Sequence, residues 1–234
     1  MPHAAQHDVA TRELRPHDWP ALDDAVHHSQ RLFRQLLSAM SEPGTVHDIP
    51  VSSMPQGVAL SSAAWGTLLA LCDLESRLWI ADELNRDGLA AAISFHTGAR
   101  IVTCADEADF ALVTPHSCQR MPNVSEGSDT YPDRSTTLIV VLAATGTLKS
   151  AEGFPHAPAH GPLPTRDWRL SGPGIRDSRV VALDVKAEAL MQRLACNRAH
   201  FPLGLDAILT ADTHLIAIPR STQIDVVTAT EEHA

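Results

Sequence analysis

The sequence predicts an α/β protein: a three-layer αβα arrangement built around a mixed sheet. Three observations predict it. Segments with helical spacing of apolar residues are interleaved with short β-favouring runs along most of the chain. Residues 137–143 (Thr137, Leu138, Ile139, Val140, Val141, Leu142, Ala143) form a continuous apolar run rich in β-branched side chains, the pattern of a strand covered on both faces. Ile208-Leu209-Thr210 and Leu215-Ile216-Ala217-Ile218, joined by the polar link 211–214, read as a hairpin. No internal repeat or compositional break divides the 234 residues, so residues 23–226 are expected to form one domain, with tails at 1–22 and 227–234.

The elements follow in order. Residues 1–22 are polar, with breakers at Pro16 and Pro20, and read as a tail or a surface-wrapping arm. Asp23 or Asp24 caps a helix that runs to about residue 41. Leu22, Val26, Ser29, Phe33, Leu36, Leu37 and Met40 fall on its inward side, and Arg31, Arg34, Gln35 and Ser38 lie opposite. Pro43 and Gly44 end it, because proline breaks the hydrogen-bond ladder and glycine takes a tight turn. Ser61 or Ser62 caps a second helix, apolar nearly all round and therefore expected to be buried. A strand at 78–81, a helix at about 86–96 stopped by Gly98, and strands near 100–104 and 110–113 come next. Residues 115–135 and 150–165 are breaker-rich loops. A strand near 179–183 leads to Asp184, which caps a helix to about residue 198. Residues 201–210 then carry Pro202, Gly204 and Asp206, a sharp turn re-entering the sheet, and residues 222–227 form a last strand.

Composition excludes several function classes. The net charge of −10 argues against non-specific nucleic-acid binding, which depends on clustered basic residues. No apolar run approaches the roughly 20 residues needed to cross a bilayer, and residues 1–8 lack a basic-then-apolar leader, so a cytoplasmic protein is expected. Cys72, Cys104, Cys118 and Cys196 have no metal or cluster spacing. The thirteen histidines are scattered: His27 and His28 point about 100° apart on a helix, and Pro158 separates His156 from His160. Neither a metal nor any other cofactor is expected.

Few motifs carry chemistry. There is no P-loop, no G-x-G-x-x-G and no G-x-S-x-G. Ser171-Gly172-Pro173-Gly174 is a compact loop that could present backbone N–H groups to an anion or simply make a tight connection. Arg34, on the polar side of the first helix, could meet a partner or an anionic ligand, or belong to a solvated face. Arg220 could bind an anion or close a salt bridge to Asp206. The chain's only lysines are Lys149, after a turn signal, and Lys186, in the first turn of a helix; neither reads as a desolvated amine held in a pocket.

Three blocks identify a family. Residues 33–45 (from Phe33 and Arg34 through Ser41, Glu42, Pro43, Gly44 and Thr45), residues 170–175 (Leu170, Ser171, Gly172, Pro173, Gly174, Ile175), and residues 201–210 with 217–222 resemble, in this order, the H subunit (PhnH) of the bacterial carbon–phosphorus lyase core complex. Phe95-His96-Thr97 is similar as well, and the likeness covers roughly residues 25–226. The resemblance implies a fold like the large domain of pyridoxal-phosphate-dependent transferases, without the cofactor. It implies a homodimer assembled with the G, I and J subunits. That machinery displaces adenine from ATP with a phosphonate, forming a ribose 1-phosphonate 5-triphosphate. The resemblance carries over no catalytic residue. Arg34, Gly172, Gly174, Asp206 and Arg220 therefore stand as candidates for anion binding or for an interface. Two other readings remain open: an independent enzyme with an anionic substrate near Gly172–Gly174, Arg34 and Arg220, and a pyridoxal-phosphate enzyme using Lys149 or Lys186.

Overall fold

The computed structural model describes residues 14–227 apart from 50, 52, 121–122, 143–148 and 151–163. The expected loop at 150–165 lies almost wholly outside these residues, as do His3, His7, His156, His160 and the acidic end. Two sheets are present. The larger has seven strands: β1 (His47–Asp48), β2 (Arg77–Ile80), β3 (Arg100–Val102), β4 (Phe110–Val113), β5 (Thr137–Val141), β9 (Asp206–Ala211) and β10 (His214–Ile218). Their spatial order is β1-β10-β9-β5-β4-β2-β3. β9 through β3 run parallel, and β10 and β1 add an antiparallel edge. The smaller sheet is antiparallel, with β6 (Lys149–Ser150), β7 (Thr165–Ser171), β8 (Arg179–Asp184) and β11 (Gln223–Val226) in the order β11-β7-β8-β6.

Alternation along the central strands sets the layers. Leu138 and Val140 of β5 and Ala207 and Leu209 of β9 face one core, while Ile139, Val141 and Ile208 face the other. On the second side pack α1 (His27–Ser41), α2 (Ser62–Leu71) and α3 (Leu89–Thr97). On the first side lie Trp168, Leu170, Val181 and Leu183 of the small sheet, together with α5 (Glu188–Ala195). The fold is thus α/β with a mixed seven-stranded sheet. One of its outer layers combines a sheet with a helix, where the sequence pattern predicted helices. β7 and β8 pair as neighbours in sequence, whereas the short strands β6 and β11 join them through non-local pairing, β6 with β8 and β11 with β7.

The expected caps form. Ser61 Oγ accepts from Ala64 N at 3.1 Å, Asp24 Oδ1 accepts from Val26 N and His27 N, and Gly98 closes α3 with φ +78°. The inward face of α1 differs from expectation. His28, Leu32, Leu36 and Ala39 are buried, whereas Val26, Phe33 and Leu37 are 60%, 45% and 53% exposed. Leu32 and Phe33 are neighbours about 100° apart, so either could define the face. The stripe with the smaller side chains turned inward, where Ala39 and Leu32 meet Ala63 of α2 and the strand residues Leu215 and Ala217. Residues 14–22 lie on the domain: Trp19 is buried against Trp65, with ring centroids 4.9 Å apart, and Trp65 Nε1 donates to the Pro20 carbonyl at 2.8 Å. No helix among the described residues is long and apolar enough to cross a membrane.

Candidate functional site

The corner before β9 is built by one side chain. Asn197, in α6 (Asn197–His200), is buried and clasps Leu205 from both sides: its Nδ2 donates to the Leu205 carbonyl at 2.9 Å, and its Oδ1 accepts from Leu205 N at 3.0 Å. Gly204 passes directly over that amide with φ +136°, and a Cβ there would sit 2.4 Å from Asn197 Oδ1. Asp206, one step on, opens β9. Arg220, just past β10, donates to its carboxylate from the backbone N (2.7 Å), from Nε (3.1 and 3.2 Å to the two oxygens) and from NH2. Arg220 NH1 donates to the Pro132 carbonyl. The two side chains are 16% and 15% exposed, so of the two readings of Arg220 the structure holds the salt bridge.

The three sequence blocks meet in space. Gly44 N donates to the Ala217 carbonyl at 3.1 Å, and the Arg179 guanidinium donates to the carbonyls of Glu42 and Pro43. Gly174 (φ +80°) lies so close to the end of α1 that a Cβ would stand 2.0 Å from the Ser41 carbonyl oxygen. At Gly172 (φ +118°) a Cβ would stand 3.1 Å from the Ser221 oxygen. The glycine loop therefore clamps the α1 terminus to the end of the hairpin. A hollow of about 290 Å3 beside it brings together Pro173, Arg198 and Arg220. Arg34 is exposed on α1 and does not line that hollow.

A second feature had no single motif to announce it. β2 is followed by α3 and β4 by α4 (Pro115–Cys118), and the chain leaves these two neighbours for opposite faces of the sheet. Right-handed crossovers require this, because β3 lies to one side of the β2–β4 pair and β5 to the other. The divergence opens a crevice beyond the carboxyl ends of the parallel strands, the place where open α/β sheets bind ligands. Here it forms a cavity of about 400 Å3. Buried Leu84, Val141 and Leu142 give it apolar walls. Thr114 Oγ1 donates to Glu83 Oε1 at 2.6 Å and also accepts from Ser117 N at 3.1 Å. Burial pushes the Glu83 carboxyl upward, but the Thr114 hydroxyl, with help from Ser117 and His116, more than offsets it and holds the group below the ordinary glutamate value. Arg86, His116 and Lys186 reach the rim and are exposed. Asp184 caps the turn beneath Lys186, accepting from its backbone N at 2.9 Å. Lys186 is thus solvated, as expected, yet it borders a cavity.

The family model described as "Bacterial phosphonate metabolism protein (PhnH)" matches residues 20–225. The chain belongs to the PhnH family. A relative from Rhizobium meliloti (strain 1021), named alpha-D-ribose 1-methylphosphonate 5-triphosphate synthase subunit PhnH, is 31% identical over 208 residues, covering 88% of this chain and 94% of the relative. The putative C-P lyase subunit protein HtxG of Stutzerimonas stutzeri is 28% identical over 198 residues, 84% of this chain and 86% of its own. The resemblance read from the three blocks is borne out. The PhnH match takes in both the glycine clamp and the cleft beyond β2 and β4.

Glu83, Arg86, Thr114, His116 and Lys186 were not singled out as a group by the sequence. The available signal was Thr114-Pro115-His116-Ser117 directly after an apolar run, a capping box at the carboxyl end of a strand. Among the described residues no group of three or more potential ligands could hold a metal ion.

Proposed function

We propose that this chain is an accessory subunit of the carbon–phosphorus lyase core complex, acting in phosphonate catabolism together with partner subunits. In that role it assists displacement of adenine from ATP to form a ribose 1-phosphonate 5-triphosphate and contributes no catalytic residue of its own. The observation that carries this reading is the family match over residues 20–225, together with a relative named as a subunit of such a synthase. Residues 23–226 act as the single domain, with residues 14–22 as an arm held by Trp19. Its partners are a second copy of itself and the G, I and J subunits, in the cytoplasm. The exposed stripe of Val26, Phe33 and Leu37 on α1 supports a role in protein contacts.

The finer fold reading, a likeness to the large domain of pyridoxal-phosphate transferases without the cofactor, is favoured by the parallel strands with an antiparallel edge and by the exposed state of Lys186. A yellow aldimine band in the purified chain would overturn the cofactor-free reading. The test of the whole proposal is co-expression with the G, I and J subunits. Co-purification, with product formed from ATP and methylphosphonate only by the mixture containing this chain, is expected. Turnover by the lone chain would favour the alternative, an independent transferase or lyase binding an anionic substrate. A core complex fully active without this chain would end the accessory reading.

A further inference from the structure

We propose that the cleft beyond the carboxyl ends of β2, β4 and β5 binds a nucleoside 5′-monophosphate or a closely similar phosphorylated nucleoside. The observations concern charge and shape. Glu83 is half-buried and ionised, and an ionised carboxylate can only accept hydrogen bonds. A bare phosphate or phosphonate dianion would be repelled there, so the inner part of the ligand must carry donors, as sugar hydroxyls or a ring amine do. Leu84, Val141 and Leu142, with Ala59 and Pro115, line the cleft and make its walls apolar, which suits the face of a ring. At the rim, Arg86 comes from the turn after β2 and Lys186 from the turn after β8, on the opposite layer. Neither makes an ion pair among the described residues. Two unengaged cations from opposite walls can converge on one acid group.

The ligand is therefore polarised along its length: donors inside, an apolar ring between the walls, and an anion outside. Size agrees. A cavity of about 400 Å3 falls in the range small organic ligands occupy. Roughly 10–15 Å3 of such space holds one water, so a one-carbon phosphonate would leave most of the cleft to solvent. An aminoalkyl phosphonate supplies a donor and an anion but no ring for the walls. This inference goes beyond the assembly reading and is independent of it, since the full chain can bind nucleotide whether or not the complex forms.

Calorimetric titration of the full chain at fixed ionic strength with AMP, ATP, adenosine, inorganic phosphate, methylphosphonate and 2-aminoethylphosphonate tests it. Saturable binding of AMP is expected, at least about ten-fold tighter than of any ligand lacking either the ring or the phosphate. Arg86→Gln and Lys186→Gln should each weaken AMP by roughly ten-fold while leaving adenosine unchanged. Glu83→Gln should weaken AMP and adenosine alike. Arg34→Gln, on an exposed face away from the cleft, should change nothing. Arg86 and Lys186 are exposed, so their variants keep the fold, and melting curves confirm it. Absence of saturable AMP binding would overturn the proposal. So would phosphate or 2-aminoethylphosphonate binding as tightly as AMP, or AMP binding lost in Arg34→Gln and retained in Arg86→Gln and Lys186→Gln.

Discussion

Replacing Gly204 with valine tests the architecture of the corner. At φ +136° an L-residue is strained, at a cost of about 1–2 kcal/mol. The new Cβ would also stand 2.4 Å from Asn197 Oδ1 and 2.7 Å from its Cγ, far inside contact distance. Gly204 cannot easily move away, because its N–H donates to the Glu126 carbonyl at 3.0 Å. If Asn197 yields, the buried N–H and carbonyl of Leu205 lose their partners, at about 1–3 kcal/mol each. The sum is roughly 3–8 kcal/mol, and a chain of this size loses about 2–4 °C of Tm per kcal/mol. Thermal unfolding followed by circular dichroism should therefore show Gly204→Val melting at least ~6 °C below wild type. A double-mutant cycle with Asn197→Ala isolates the cause. Gly204→Ala should cost about half as much or less once Asn197 is shortened, because only the backbone strain remains. An unchanged Tm for Gly204→Val, or strict additivity in the cycle, would refute this account of the corner.

Arg220→Ala leaves Asp206 charged and largely buried, so a loss of about 2–4 kcal/mol is expected by denaturant titration; Asp206→Asn should cost less, since its amide oxygen still accepts from Arg220, which keeps the Pro132 carbonyl as a second acceptor. Burial pushes the Cys72 and Cys118 thiols up to about 12, whereas Cys104 and Cys196 are exposed. Ellman's reagent at pH 8 should accordingly modify two thiols rapidly in the native protein and the other two only on unfolding, with peptide mapping placing the fast pair at 104 and 196. Burial pushes the Asp109 carboxyl up, but the Arg77 guanidinium and backbone N–H outweigh it and hold the group below the ordinary aspartate value. A depressed folded-state value stabilises the protein above the unfolded aspartate pKa, near 3.9, and is lost as pH falls through the folded value. Tm measured from pH 6 down to 3 should show Asp109→Asn converging on wild type at the acid end. The gap at pH 6 should be no more than about 1 kcal/mol, because both side chains are some 40% exposed.

Much of the fold was legible because its signals are local. The two-sided burial of β5 is written in an unbroken apolar run, and the β9–β10 hairpin in two such runs across a short polar link. Ser61, Asp184 and Gly98 cap helices where their types suggest. The facing of α1 was not legible. Leu36 belongs to two overlapping apolar stripes, and only the surface it meets decides between them. The small sheet was missed as a layer because β7 pairs with β11 more than fifty residues away, a long-range match that no window of sequence contains.

The same division runs through the candidate site. The block at 201–210, set beside residues 33–45 and 170–175, marked the family from sequence alone, and its turn chemistry marked a corner, since the need for glycine at a positive φ is a property of the residue. What the corner does was decided by the tertiary structure: Asn197, seven residues earlier, fills the space that a side chain at 204 would take, and Arg220 neutralises Asp206. The cleft was likewise decided by topology. Glu83, Thr114 and Lys186 lie far apart in sequence, and they meet because strands whose crossovers leave for opposite faces must part at their carboxyl ends. Local backbone preference is encoded residue by residue, whereas the convergence of charges from three separate turns exists only once the sheet has formed.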